Sequence, residues 1–165
     1  MCNSRFFVVT GVHYTVEAKL FIEIPTEAIQ KDTAIKTARS EIWRCFVKSS
    51  EQSENSCVAV KSITFNRKPS ADEVEEAKKI ILHRASIWIE LYHDNILRLE
   101  GIISDGGFGL LPALVSPWME NGSLDNYLDV RQPDLDKKLF VLREIAVGLQ
   151  YLHSKDIYSD LTPVG

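Results

Sequence analysis

The chain has 165 residues, 45% of them apolar and 25% charged, which suits a globular domain with a real core and excludes a disordered chain. A net charge of -4 speaks against a nucleic-acid partner, because neutralising phosphates needs a basic surface. Cys2, Cys45 and Cys57 are odd in number and lack metal-ligand spacing, which fits reduced thiols better than a disulfide framework. His13, His83, His93 and His153 show no zinc pattern, so no metal site is expected. No apolar run is long enough to span a bilayer, and the patch Phe6 to Val9 is too short for a signal-peptide core. The sequence therefore predicts a soluble cytoplasmic protein with no membrane role.

In chain order, Tyr14, Val16, Ala18, Leu20 and Ile22 alternate with polar residues and Phe21, the period of a half-buried strand. Phe6 to Thr10 is placed to pair with it across Gly11, and Pro25 closes the segment. Residues 1–30 read as an appended hairpin without chemistry. Ala34 to Val47 has strand character, with Ile35, Ile42, Phe46 and Val47 apolar and Lys36 to Glu41 polar enough for a turn. Lys48 to Ser56 is turn-like. Val58 to Ile63 reads as a buried strand carrying Lys61.

Ser70 to Leu91 reads as a helix. Pro69 precedes it, Ser70 with Glu73 makes a capping box, and Glu75 with Lys79 is an i,i+4 pair. Ala77, Ile81, Arg84, Trp88 and Leu91 share one face, so Arg84 interrupts an apolar stripe. It either snorkels to the edge or faces something polar. Asn95 to Ile103 and Leu110 to Ser116 read as two strands joined by Ser104 to Gly109. The Gly-Gly-Phe-Gly there lacks the lysine and helix of a phosphate loop, which favours a hairpin turn. Pro117 to Gly122 is a connector, and Ser123 to Leu128 opens a short helix. Leu135 to His153 is a long helix with Leu135, Leu139, Leu142, Ile145, Ala146, Leu149 and Leu152 as its stripe.

Four stretches carry a family resemblance. Val58-Ala-Val-Lys61 looks like the protein-kinase strand that bears the phosphate-binding lysine. Leu91-Tyr-His-Asp-Asn-Ile-Leu97 looks like the kinase helix-to-strand junction, and Trp118-Met-Glu-Asn-Gly-Ser-Leu124 like the segment after the interlobe hinge. Tyr151-Leu-His-Ser-Lys-Asp-Ile-Tyr-Ser-Asp-Leu161 looks like the long helix running into the catalytic loop. In this order and spacing they make Ala34 to Gly165 resemble a protein kinase of the tyrosine-kinase-like group, with a flavour of the kinase-like proteins of mushroom-forming fungi. The resemblance implies an α+β fold. An antiparallel-sheet small lobe with one major helix would occupy residues 31–116. The hinge and the first helices of a truncated helical large lobe would occupy residues 117–165.

It also implies ATP as ligand. Ser116 takes the gatekeeper place, the Pro117 carbonyl and Met119 amide would face adenine, and Ala34, Ile42 and Ala59 would form its roof. Lys61 would meet the phosphates, and Asp160 is the aspartate that receives the substrate proton. Other family positions depart. The three glycine places of the phosphate loop hold Ile35, Thr37 and Ser40, and Arg39 is a possible replacement charge. The helix glutamate that would pair Lys61 is Arg84, with Glu76 two turns too early. Thr162 and Gly165 replace the catalytic-loop lysine and the metal-binding asparagine, so the magnesium site is lost. These departures predict a degenerate or truncated pseudokinase that binds a protein partner through the exposed face of the long helix, with weak or no ATP binding. The alternative is an ATP-binding kinase whose remaining large lobe lies outside this chain. A third reading, a structural protein keeping only the small-lobe fold, predicts no nucleotide binding.

Overall fold

The structure, a computed structural model, describes residues 22–37, 40–48 and 56–157. The hairpin expected before Ile22, Arg39, and the catalytic-loop residues Tyr158, Asp160, Thr162 and Gly165 lie outside the described residues. The elements in order are strands β1 (Ile29–Lys36), β2 (Ser40–Val47) and β3 (Ser56–Ile63) and helix α1 (Ala71–Trp88). Strands β4 (Gly101–Ile103) and β5 (Ala113–Pro117) and helices α2 (Leu124–Arg131) and α3 (Leu135–His153) follow. The chain forms two compact units. One spans residues 16–90 and 98–118; the other joins residues 91–97 to residues 119–165.

The first unit is a five-stranded antiparallel sheet in the order β1-β2-β3-β5-β4 with α1 against it. Alternation along β3 explains its place at the centre. Val58, Val60 and Ser62 are buried, while Lys61 between them is exposed. Val58 and Val60 join Ile29, Cys45, Ile103, Phe108, Ala113 and Val115 in a core on one face of the sheet, with Ile24, Trp43 and Val47 around it. On the other face Ile102 and Leu114 pack with Ala85 and Leu99 and with Leu82, Trp88 and Ile89.

Helix α1 starts where the sequence says. The Ser70 side chain accepts from the Glu73 amide at 3.2 Å, and the Glu73 carboxylate accepts from the Ser70 amide at 2.8 Å. The Arg67 guanidinium also grips Glu73, and this bond above all pulls the Glu73 carboxyl down to about 2. The helix stops at Trp88, three residues before the expected Leu91, and buries Ile81, Ala85 and Ser86. Arg84 lies outside that buried face and is exposed.

Two strand expectations are corrected. Strand β1 begins at Ile29 rather than Ala34, because the isolated apolar Ile29 pairs with Val47 and reaches the core. Strand β4 covers only Gly101–Ile103; residues 95–100 are not strand.

In the second unit α3 has the expected bounds and an Asp134 cap that accepts from the Lys137 amide at 2.9 Å. Its buried face is Val141, Gly148 and Leu152, and Val141 and Ile145 pack against Leu124, Tyr127 and Leu128 of α2. The expected stripe splits: Leu135, Leu139 and Leu142 remain 69%, 55% and 60% exposed. The loop at residues 91–97 is bound to α3 by polar contacts. Buried Asn95 donates from Nδ2 to the Glu144 carbonyl at 2.9 Å and its carboxylate at 3.1 Å. His93 stacks on Tyr151, whose hydroxyl accepts from the Tyr92 amide at 3.1 Å. A Cβ at Gly148 would stand 3.0 Å from the Asn95 carbonyl, so glycine permits this close approach.

Candidate functional site

Side chains directly across antiparallel strands share a face, so the register assigns the site without further geometry. Ile42 lies opposite Lys61, Lys61 opposite Leu114, and Ala59 opposite Ser116. Ile42, Ala59, Lys61 and Ser116 are therefore gathered on one face of the sheet, the face that also carries Leu114 and α1. Ala59 and Ser116 are both small and face each other across β3 and β5.

Ala34 does not join them. It pairs with Trp43, whose ring belongs to the opposite core, while Ile35 pairs with Ile42. A bulge between Lys31 and Ala34 shifts the alternation by one residue, so Ile35 stands on the face expected for Ala34. Pro117 ends β5 opposite Val58, and the Trp118 amide donates to the Cys57 carbonyl at 3.2 Å. Met119 belongs to the second unit. Its carbonyl accepts from the Gly122 amide at 3.0 Å, and among the described residues no hydrogen bond uses its own amide.

Thr37 and Ser40, which flank the tip of the expected phosphate loop, bond to each other. The Thr37 amide donates to the Ser40 carbonyl at 2.8 Å, and the Ser40 amide donates to the Thr37 hydroxyl at 3.1 Å. The two hydroxyls meet at 2.9 Å, and Lys36 pairs with Glu41 at 2.9 Å just below. The Lys36 ammonium holds the Glu41 carboxyl below its usual range. The Thr37 and Ser40 amides are thus both engaged between these two residues.

Lys61 makes no ion pair with a described residue. The helix position that would supply its carboxylate is the exposed cation Arg84, and Glu76 is also exposed. Among the described residues no cluster of His, Cys, Asp or Glu has a metal-binding arrangement.

The same face holds a group that sequence patterns did not single out. Arg44, opposite Ala59, lies 5.6 Å from the Phe46 ring centroid and 5.7 Å from that of Trp118. Asp32 is 3.7 Å from it, and its Nε donates to the Cys57 thiol at 3.4 Å. Phe46 is two residues along the same strand, but Trp118 is distant in sequence, and only the pairing of β2 with β3 and of β3 with β5 brings it close. Buried Cys45 on the opposite face is inert by comparison: desolvation pushes its thiol up to about 11.

A small antiparallel sheet with one long helix against it, a central lysine-bearing strand and a following helical unit define a protein-kinase-type architecture. The chain belongs to the protein kinase family: the family model for protein tyrosine and serine/threonine kinases matches residues 30–162. Among individual proteins it is similar to human ephrin type-B receptor 4, at 32% identity over 115 residues. That match covers 68% of this chain and 10% of the receptor. Zebrafish ephrin type-A receptor 3 is 36% identical over 108 residues, 63% of this chain and 10% of the receptor. Human ephrin type-A receptor 8 is 33% identical over 97 residues, 58% of this chain and 9% of the receptor. The chain thus spans about a tenth of the length of these curated relatives. No helix among the described residues is long and apolar enough to cross a membrane.

Proposed function

We propose that this chain is a kinase-family protein that works by binding another protein and not by phosphoryl transfer, with weak or no affinity for ATP. The observation that carries this is the Thr37–Ser40 turn, which spends on itself amides that a phosphate grip requires. Lys61 faces a related deficit: Arg84 holds the helix place of its family partner carboxylate and offers no acidic group. The partner surface is the outer face of α3, where Leu135, Leu139, Phe140 and Leu142 are all about half exposed or more.

The test restores the missing parts. A variant with Ile35, Thr37 and Ser40 all replaced by Gly, together with Arg84→Glu, is titrated with a fluorescent ATP analogue and magnesium beside the parent chain. Nucleotide binding gained by the variant and absent from the parent supports the reading; equal, saturable binding by both overturns it. For the partner face, Leu139→Lys with Leu142→Lys should abolish concentration-dependent association measured by sedimentation, and unchanged association would reject that surface.

A second reading, a nucleotide-binding kinase, is favoured by the intact adenine half. Ile42, Ala59 and Ser116 lie together on the lysine-bearing face of the sheet.

A further inference from the structure

The residues just before the family-matched region do more than lead into it. Ile22 to Thr26 runs along the outer edge of β4, a strand that would otherwise end the sheet with unpaired backbone groups. The Ile24 amide donates to the Ile102 carbonyl at 2.9 Å, and the Ile102 amide donates to the Ile22 carbonyl at 3.0 Å, a parallel bridge centred on Glu23. Side chains fix the register. The Ser104 hydroxyl donates to the Glu23 carboxylate, and Asp105 receives both the Thr26 amide, at 2.7 Å, and the Thr26 hydroxyl. Those donors hold the Asp105 carboxyl below its usual range. Ile24 adds an apolar anchor in the sheet core.

Two glycines let this segment approach the receiving surface closely. A Cβ on Gly101 would stand 2.5 Å from the Ile22 carbonyl and 3.0 Å from Ile24 Cδ1. A Cβ on Gly107 would overlap the Thr26 side chain. The nearest neighbours of both positions are thus Ile22, Ile24 and Thr26, so a side chain at either glycine would meet the segment first. The segment ends before residue 30, where the family match begins.

We propose that the β4 edge and the turn at residues 104–107 form a binding site for an extended Ile-Glu-Ile-Pro-Thr segment, filled here by residues 22–26 and able to take the same segment from a second copy of the chain. Backbone pairing supplies affinity. Ser104 and Asp105, which bind Glu23 and Thr26, and the core contact of Ile24 supply specificity. A site complementary to a segment that every copy carries lets two chains exchange it at no loss of contacts.

The test uses the full chain and a fluorescein-labelled peptide of residues 22–28 as probe. In the variant Glu23→Ala with Thr26→Ala the resident segment is weakened and its acceptor left intact. Anisotropy should show the probe binding at least about tenfold tighter than to the parent chain, whose own segment competes. Adding Gly107→Ala should remove that gain, because the new methyl meets Thr26 of the probe. Equal probe affinity in parent and variant, or a gain that survives Gly107→Ala, overturns the proposal. A second measurement needs no peptide. In the single variant Gly107→Ala the Ile102 amide should exchange its hydrogen about tenfold faster or more, as expected when paired backbone bonds are lost. Unchanged exchange at Ile102 likewise overturns it.

Discussion

Replacing Asn95 with Ala should loosen the second unit by an amount the structure lets one work out. The side chain is buried and makes two bonds from one nitrogen, to the Glu144 carbonyl at 2.9 Å and to its carboxylate at 3.1 Å. A neutral hydrogen bond contributes about 1 kcal/mol net and one to a charged group about 1.5–3 kcal/mol. The Glu144 side chain keeps 24% of its surface, so water recovers part of the charged bond and the lower value applies. The cost is therefore about 2.5 kcal/mol, which for a chain of this size lowers Tm by roughly 5–10 °C. The carbonyl of Glu144 lies inside α3, so the helix survives while the loop at residues 91–97 comes away. Urea unfolding of the parent, Asn95→Ala, Glu144→Ala and the double variant measures both the cost and the coupling. The coupling between the two sites should be about 1.5 kcal/mol. A single-variant cost below about 0.5 kcal/mol, or additive effects of the two changes, would refute the view that this pair holds the loop to α3.

Other expectations follow from the same contacts. Ser70→Ala removes the α1 cap and should cost about 1 kcal/mol in urea unfolding, with faster exchange at the Glu73 amide. The Glu73 carboxyl is lowered in the folded chain from 4.5 to about 2, so its contribution is full above pH 4.5 and is lost as pH falls towards 2. Acid titration should therefore fray the start of α1 in that window, and Arg67→Ala should move the onset upward. The Cys45 thiol is raised from 9.0 to about 11, so the unfolded chain releases its proton first and stability should fall as pH rises from 9 to 11. In Cys45→Val that fall should shrink. A thiol reagent at pH 8 should modify Cys57 in the folded chain and reach Cys45 only on unfolding.

What could be read from sequence was what local chemistry decides. The bounds of α3, the Ser70–Glu73 box and the Val58-Ala-Val-Lys61 alternation depend on neighbours within a few residues, and each stands where the pattern put it. The gathering of Ile42, Ala59, Lys61 and Ser116 was legible through resemblance to the family, because β3 carries two of them and pairs with the strands carrying the others. The side of Ala34 was not legible, since one bulged residue in β1 reverses alternation and leaves no mark in composition. Nor was the short β4, whose Ile102 and Ile103 are apolar for two different cores, while Leu99 before it is apolar for packing against α1 and not as part of a strand. The Arg44 stack and the clasp on β4 join residues that are far apart in the chain, and no spacing rule reaches across such distances.

The central claim is that the lysine-bearing face no longer holds a nucleotide's phosphates. Its most direct test is a thermal unfolding titration of the full chain with ATP, with and without magnesium, beside Lys61→Ala. A ligand that binds only the folded state raises Tm by mass action, by about 2.7 kcal/mol of stability at a hundred times its Kd. The account predicts a cooperative transition that millimolar ATP does not move, in the parent chain and in Lys61→Ala alike. A magnesium-dependent rise in Tm that Lys61→Ala abolishes would contradict it, by showing that the closed Thr37–Ser40 turn opens to grip phosphate.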